Sequence, residues 1–398
     1  MQHVYNSTGH AMKIPDVVCG QGIYLTDANG KKYMDLESGV WCLPLGHNHP
    51  AVNEVIKSRL ATLGHAGFCY SCPEVDTAAE LVLDITGLDR GGCVFLCSGS
   101  EAIEYCRQVA RLITGRTNAM TLHDSYLGSY SSVTDRSRDW YIFNWEACQA
   151  CEKARICDTS CALFQKIPED ISGFIFEPGS ASGFVRFPPG AMIRNLVQRV
   201  RDSGGLILVN EVTTGMGRTG RWFGFNHYGI RPDMIAIGKG IGNGYPVSVS
   251  VLSRALVEKA QSMGFKYAQS HQNDPMGAAV AAQVIRTITD NKLLKSAETK
   301  GRQLREQLRT LVDHRIIRDV RGRGLMLALE FTASALADTV YEELLEAGYI
   351  VCNRGGFFRI DPPLITPMDE LKRFVQTLKQ CIDSVWVSRL DLKGAAGI

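Results

Sequence analysis

A chain of 398 residues exceeds one ordinary hydrophobic core and falls short of three, which predicts a large domain with a smaller one beside it. Its 43 lysines and arginines against 41 aspartates and glutamates leave a formal net charge of +2 without any basic block, which excludes a nucleic-acid footprint. No apolar run approaches bilayer-crossing length, and the start MQHVYNSTGHAMK has neither an apolar core nor a small-residue cleavage site, so no membrane contact and a cytoplasmic location are expected.

In chain order, residues 22–36 read as a β-hairpin with Asn29-Gly30 at its tip. From about residue 50 the pattern AVNEVIKSRLATL is helical, and apolar strands then alternate with helices to about residue 260. The strands are expected at 93–97, 120–122, 173–176, 206–209 and 234–237. Continuous apolar strands separated by helices imply a mostly parallel sheet covered on both faces, which binds ligands beyond the carboxyl ends of its strands. The residues placed there are Ser98-Gly99-Ser100-Glu101, Asp124-Ser125-Tyr126, Glu177-Pro178, Asn210-Glu211 and Gly238-Lys239. From about residue 275 a helix, residues 320–324 leading into the strand LMLALEF, a helix to about residue 347, and a last strand and helix suggest a second α/β domain built with the N-terminal hairpin. The expected division is 1–49 (N-terminal part of the small domain), 50–275 (large domain, with a Cys-rich insertion at about 144–165) and 276–398 (C-terminal small domain).

Two segments carry candidate chemistry. In Cys97-Ser98-Gly99-Ser100-Glu101 a small-residue turn opens a helix, whose first amides have no partner within it and suit a phosphate; the plainer reading is a serine-capped helix. In GKGIGNGYP, Lys239 follows a buried strand, so it either reaches solvent or is desolvated into a nucleophile for an aldehyde. Pyridoxal phosphate (PLP) needs a phosphate cup, an amine, an aromatic cover and a partner for its ring nitrogen, and Tyr126 and Asn210 offer the last two.

These stretches, together with GIYLTDANGKKYMDLESG, LGHNHP, FIFEPGSASG, the long central run GGLILVNEVTTGMGRTGRWFGFNHYGIRPDMIAIGKGIGNGYP, RGRGLMLALEF and FRIDPPLITP, resemble the class III aminotransferases of the ornithine and 4-aminobutyrate kind over nearly the whole chain. The resemblance implies the α/β fold type I of PLP-dependent transferases, with a large, mostly parallel sheet domain and a small α/β domain from both termini. It implies that Lys239 forms the Schiff base and shuttles the proton, and that Glu177 is an active-site carboxylate. It further implies that Ser98, Gly99, Ser100, Tyr126, Asn210 and Thr213 hold the cofactor, with Ser270 reaching the phosphate of the neighbouring subunit of a homodimer. Arg359 would take the substrate carboxylate, a task suited to a planar bidentate donor in the apolar context GGFFRIDPPL. The implied partners are a small amino donor and a 2-oxo acid.

Three departures bear on the reaction type. Asn210 stands where the family has an aspartate, Leu127 and Thr213 replace a histidine and a glutamine beside the ring, and Asp274 precedes Pro275 in place of asparagine or histidine. An asparagine amide can bond a neutral ring nitrogen without stabilising a cationic one, so a poorer electron sink is expected. The readings kept beside transamination are therefore an ammonia-lyase or racemase/epimerase of the same fold and, lower, a non-catalytic protein with an interaction loop.

Of the 13 cysteines, Cys93, Cys97, Cys352 and Cys381 sit singly in apolar runs as small hydrophobes, which fits a reducing compartment. Cys148, Cys151, Cys157 and Cys161 form C-x2-C-x5-C-x3-C, a set that could hold zinc or an iron–sulfur cluster, form a redox pair, or remain plain thiols. His47, His49, His65 and His123 read as structural, and His271 as a residue lining the site. Arg186 and Arg218 are candidates for a second substrate carboxylate.

Overall fold

Three short strands, β1 (Val17–Gln21), β2 (Tyr24–Asp27) and β3 (Lys32–Asp35), open the chain as an antiparallel meander. Its second turn closes because Asp27 accepts the amides of Asn29 at 2.9 Å and Lys31 at 3.0 Å while Gly30 takes a φ of 83°. The structure is a computed structural model and describes residues 3–154, 156–182, 184–313 and 315–395, with side chains described to residue 387. The outermost residues of the expected 1–49 and 276–398 units, and single positions at 155, 183 and 314, lie outside the described residues.

After helices α1 (Pro50–Thr62) and α2 (Pro73–Thr86) come β4 (Gly92–Leu96), α3 (Gly99–Thr114), β5 (Ala119–Leu122), β6 (Trp140–Phe143), β7 (Gly173–Phe176), α4 (Gly190–Asp202), β8 (Leu206–Asn210), β9 (Met234–Ile237) and β10 (Ser248–Leu252). These strands form one sheet in the order β4-β10-β9-β8-β7-β5-β6, parallel throughout except that β10 runs antiparallel to both its neighbours. Strands β5, β7, β9 and β10 are buried along their whole length, as a sheet covered on both faces requires. Neither β6 nor β10 was foreseen. In β10 the alternation SVSVL mimics a half-exposed strand, but both serines are buried, donating to Ser98 O at 2.7 Å and Ala102 O at 3.1 Å of α3.

Beyond α5 (Arg254–Ser262), α6 (Pro275–Asp290) and α7 (Leu293–Arg309), the strands β11 (Ile317–Arg323), β12 (Met326–Phe331), β14 (Cys352–Asn353) and β15 (Phe357–Ile360) make an antiparallel sheet, with α8 (Ser334–Glu346) and α9 (Met368–Ala395) beside it. Strand β13 (Tyr349–Ile350) leaves that group and adds to β3 in parallel, pairing Tyr349 with Met34, so the opening sheet contains both ends of the chain.

Between β3 and α1, Ser38, Gly39, Val40 and Trp41 take φ values of 50°, 53°, 59° and 66°, a left-handed turn unfavourable for a β-branched residue such as Val40. Polar contacts hold it. Asp35 accepts the amides of Glu37 at 2.9 Å and Gly39 at 2.8 Å, and pairs with His47 at 2.9 Å. Ser38 donates its hydroxyl to Asp361 O and accepts from Arg218 at 3.2 Å. Among the described residues no helix is long and apolar enough to cross a membrane.

Candidate active site

The carboxyl ends of β4, β7, β8 and β9 open onto a cavity of about 210 Å³ lined by Gly99, Ser100, Ile103, Tyr126, Leu127, Gly128, Glu177, Asn210, Val212, Thr213 and Lys239. Its floor is the start of α3. Ser98 is the N-cap, accepting Glu101 N at 3.2 Å while Glu101 accepts Ser98 N at 3.1 Å, a capping box that fixes where the first free amides point. A Cβ on Gly99 would lie 2.8 Å from the methyls of Val212, and one on Gly128 would lie 2.7 Å from Ser100 Oγ, so glycine alone fits this cradle without displacement. A helix N-terminus approached this closely by backbone is suited to a phosphate.

Lys239 enters from the end of β9 in a left-handed conformation, φ 46°. Burial drives its amine below the usual lysine range, with Cys42 and Glu177 opposing the shift and Arg359 adding to it. Its Nζ lies 5.4 Å from the centroid of Trp41. Desolvation thus favours the neutral amine more than water would.

Opposite, Glu177 is buried and accepts from Tyr126 N at 3.0 Å, Ala181 N at 3.2 Å and Asn210 Nδ2 at 3.2 Å. Burial pushes its carboxyl up to about 8, against the pull of these donors and of Lys239. Asn210 also donates to Tyr126 O at 3.0 Å and accepts Val212 N at 3.1 Å. Both Nδ2 hydrogens are therefore engaged, and the capacity left on this side chain is an acceptor lone pair of Oδ1. That differs from the expectation that the amide would donate to a neutral nitrogen. Thr213 Oγ1 is buried without a hydrogen-bond partner.

Arg359, on β15, is buried and stacks on Trp41 at 3.8 Å from ring centroid to guanidinium, with Asp361 3.9 Å away and Ala181 O at 3.5 Å. Its Nε has no hydrogen-bond partner. The Trp41 ring thus neighbours both the guanidinium and the Lys239 amine. Sequence reasoning missed both Trp41 and Cys42; they lie between two quoted stretches, and the left-handed turn that turns them inward has no local signature.

The remaining candidates fall outside. Ser98 caps the helix without lining the cavity, and Ser270 is exposed. His271 lines a separate cavity of about 140 Å³ with Cys97, Tyr245 and Asp274. There His65 and His271 meet Asp274 at 3.4 and 3.2 Å. His47 pairs with Asp35, and His123 Nδ1 accepts Trp145 N at 3.4 Å. Arg218 is consumed by Leu325 O, Pro362 O and Ser38 Oγ, and Arg186 packs on Phe184 at 4.8 Å. Cys148 and Cys157 are half-buried and Cys151 and Cys161 exposed, away from the cavity.

The Aminotransferase class-III family model matches residues 5–382. The acetylornithine aminotransferase of Mycobacterium tuberculosis is 31% identical over 370 residues, covering 92% of this chain and 90% of that enzyme. Among solved structures, a transaminase from the marine bacterium Virgibacillus superposes with a TM-score of 0.83 at 25% identity, covering 93% of each chain. An amine transaminase from an uncultivated Pseudomonas species, solved in its PLP-bound form, superposes with a TM-score of 0.87 at 24% identity, over 97% of this chain and 99% of that one.

Proposed function

The chain belongs to the class-III aminotransferase family, and from that membership we propose how its residues divide the work. It is a PLP-dependent aminotransferase moving an amino group from a small amino acid or amine to a 2-oxo acid through a lysine Schiff base. The observation that carries the assignment is the buried Lys239, its amine pKa lowered by desolvation, in a cavity floored by a glycine-lined helix N-terminus.

The residues fit the cofactor. The cradle at Gly99 and Ser100 would fill with a Cβ and suits the phosphate, and the orphaned Thr213 Oγ1 supplies a donor for a ring oxygen. Tyr126 would cover the ring. When bound, the cofactor supplies the conjugated ring that accepts the electron pair released at the substrate α carbon. Lys239 Nζ would hold the cofactor and would serve as the base that takes the substrate α proton and returns it to the carbon on the other side of the amino nitrogen. Glu177 braces the Tyr126 turn and Asn210 together. Because Asn210 has only an acceptor left to offer, its natural partner is a protonated ring nitrogen, which supports transamination over a reaction run on a neutral ring. Arg359 receives the carboxylate of the donor and, in the return half-reaction, of the 2-oxo acid; Trp41 keeps its guanidinium flat and water away from Lys239. The substrates are thus α-amino or ω-amino acids and their oxo counterparts.

Ser270, exposed and outside its own cavity, is in keeping with a contact to a second copy, and we assign a homodimer with shared sites. The units 1–49, 50–275 and 276–398 are our working division. Thirteen free cysteines support a cytoplasmic location.

The test is a single-turnover reaction of the PLP-loaded protein with amino donors, beside Lys239→Ala, on a preparation whose sedimentation is also measured. Conversion of the cofactor to its amine form, reversed by a 2-oxo acid and absent in the variant, is expected from a dimer. Release of ammonia or inversion of the substrate centre with the cofactor unchanged would replace this reading with the lyase or racemase.

A further inference from the structure

Between Trp145 and Phe164, both buried, the chain makes an excursion in which no described side chain is buried; Cys148, Ala154, Cys157 and Leu163 are half-buried at most. Its regular structure is a 3-10 turn at Glu146–Cys148 and the start of a short helix at Ala162–Gln165. Ordering a backbone costs about 1–2 kcal/mol per residue, and a segment without apolar burial has little to offset it. Yet the path is turned at the cysteines. Cys148 N bonds to Trp145 O at 2.8 Å, Ala154 N to Cys151 O at 3.0 Å and Phe164 N to Cys161 O at 2.9 Å, while Asn195 of α4 donates to Cys157 O.

Each of the four cysteines takes part in one of these contacts. Cys148 has Cys157, Cys161 and Cys151 as electrostatic neighbours, and Cys157 has Cys161 and Cys151. Thiols are weak hydrogen-bonding groups, so on their own they hold nothing together. A bound cation supplies what they lack, because thiolates coordinate it directly.

We propose that Cys148, Cys151, Cys157 and Cys161 ligate one metal centre through four thiolates, and that this centre is the missing core of the β6–β7 loop. The ligands fall in two arms, C-x2-C and C-x3-C, separated by a stretch in which Glu152, Lys153 and Ile156 are exposed. A single zinc with bonds of about 2.3 Å holds its sulfurs about 3.8 Å apart. No three of these sulfurs lie within 4.8 Å of one another, so zinc requires the arms to close, whereas an iron–sulfur cluster ligates each thiolate on a separate iron and accepts a wider set. Four thiolates leave no open position, which makes the centre structural. Its reach into the active site runs through Trp145, whose Nε1 donates to Asp124 Oδ1 at 2.8 Å, two residues before Tyr126.

The experiment uses the full chain, expressed with iron and zinc supplied and purified without oxygen, with metal, acid-labile sulfide and PLP measured per chain. The expected result is about four irons with sulfide, or about one zinc, in either case lost by more than tenfold in Cys151→Ser and in Cys161→Ser while PLP content persists. These two side chains are exposed, so their replacement removes no packing. Electron paramagnetic resonance of the reduced protein separates the two metals. Absence of both metals, or metal that survives the cysteine variants and is lost in His65→Ala, would overturn the proposal; the second outcome places it at His65, His271 and Asp274, the one group of potential ligands within 4.8 Å among the described residues.

Discussion

Arg359 does not act as a free cation: its guanidinium lies over the Trp41 ring, 3.8 Å from the centroid, buried, with Asp361 3.9 Å away. Burial pushes Asp361 up to about 6, with Arg359 and Arg218 pulling the other way, so its charge is shared between two arginines. In the role proposed for Arg359, an incoming carboxylate would complete the pairing. A lysine at this position keeps the charge but loses the planar face and the fork. Arg359→Lys is therefore expected to raise KM for amino-acid donors by about 30- to 100-fold, the equivalent of about 2–3 kcal/mol for one charge-assisted pair. Amine donors without a carboxylate should convert the cofactor nearly as before in a single half-reaction measured without a 2-oxo acid. A parallel loss with both donor classes would mean that Arg359 serves the fold and not the substrate.

At the level of elements, the start of α3 is set by contacts on three sides: Ser98 and Glu101 cap it, Ser248 and Ser250 of β10 bond to its first-turn carbonyls, and Val212 presses on Gly99. Gly99→Ala forces its methyl into Val212 and should weaken PLP binding by roughly tenfold, in line with about 1–3 kcal/mol for overpacking. Adding Val212→Ala should restore most of the affinity, which equilibrium titration of the apo protein with PLP would read. The same element illustrates what a sequence can disclose. The strands ending at Leu96, Leu122, Phe176, Asn210 and Ile237 are continuous apolar runs, visible without any knowledge of their neighbours. Strand β10 was not visible, because its serines become buried only through carbonyls of a helix nearly 150 positions earlier. Lys239, Asn210, Gly99 and Ser100 could be placed from strand ends alone, and the cavity contains all four. Trp41 could not, since its turn depends on Asp35 locally and on Asp361 and Arg218 from far along the chain.

Across the whole molecule, His227 marks a seam between the central sheet and the C-terminal one: it bonds to Thr219 at 3.1 Å and faces Arg323 of β11, Arg221 and Glu298 of α7. Burial and the two arginines lower its pKa to about 4 from an ordinary 6.5. Between those values the unfolded chain binds the proton and the native one does not, so stability rises with pH across the window and is lost as pH falls through it. His227→Gln should narrow the drop in Tm between pH 6.5 and 4.5 and leave Tm at pH 8 little changed; scans at the three pH values check this. The seam is one of several closures that join distant parts of the chain, and the pairing of β3 with β13 is the longest-range strand pairing among the described residues. A ribosome releases β3 long before β13, so through that interval the opening meander lacks its fourth strand and the left-handed turn at 38–41 lacks Asp361. Contacts of such separation form late. On the role proposed for Arg359, the nascent chain cannot hold a substrate carboxylate until that arginine has emerged and met Trp41, so the site is among the last parts of the fold to be finished.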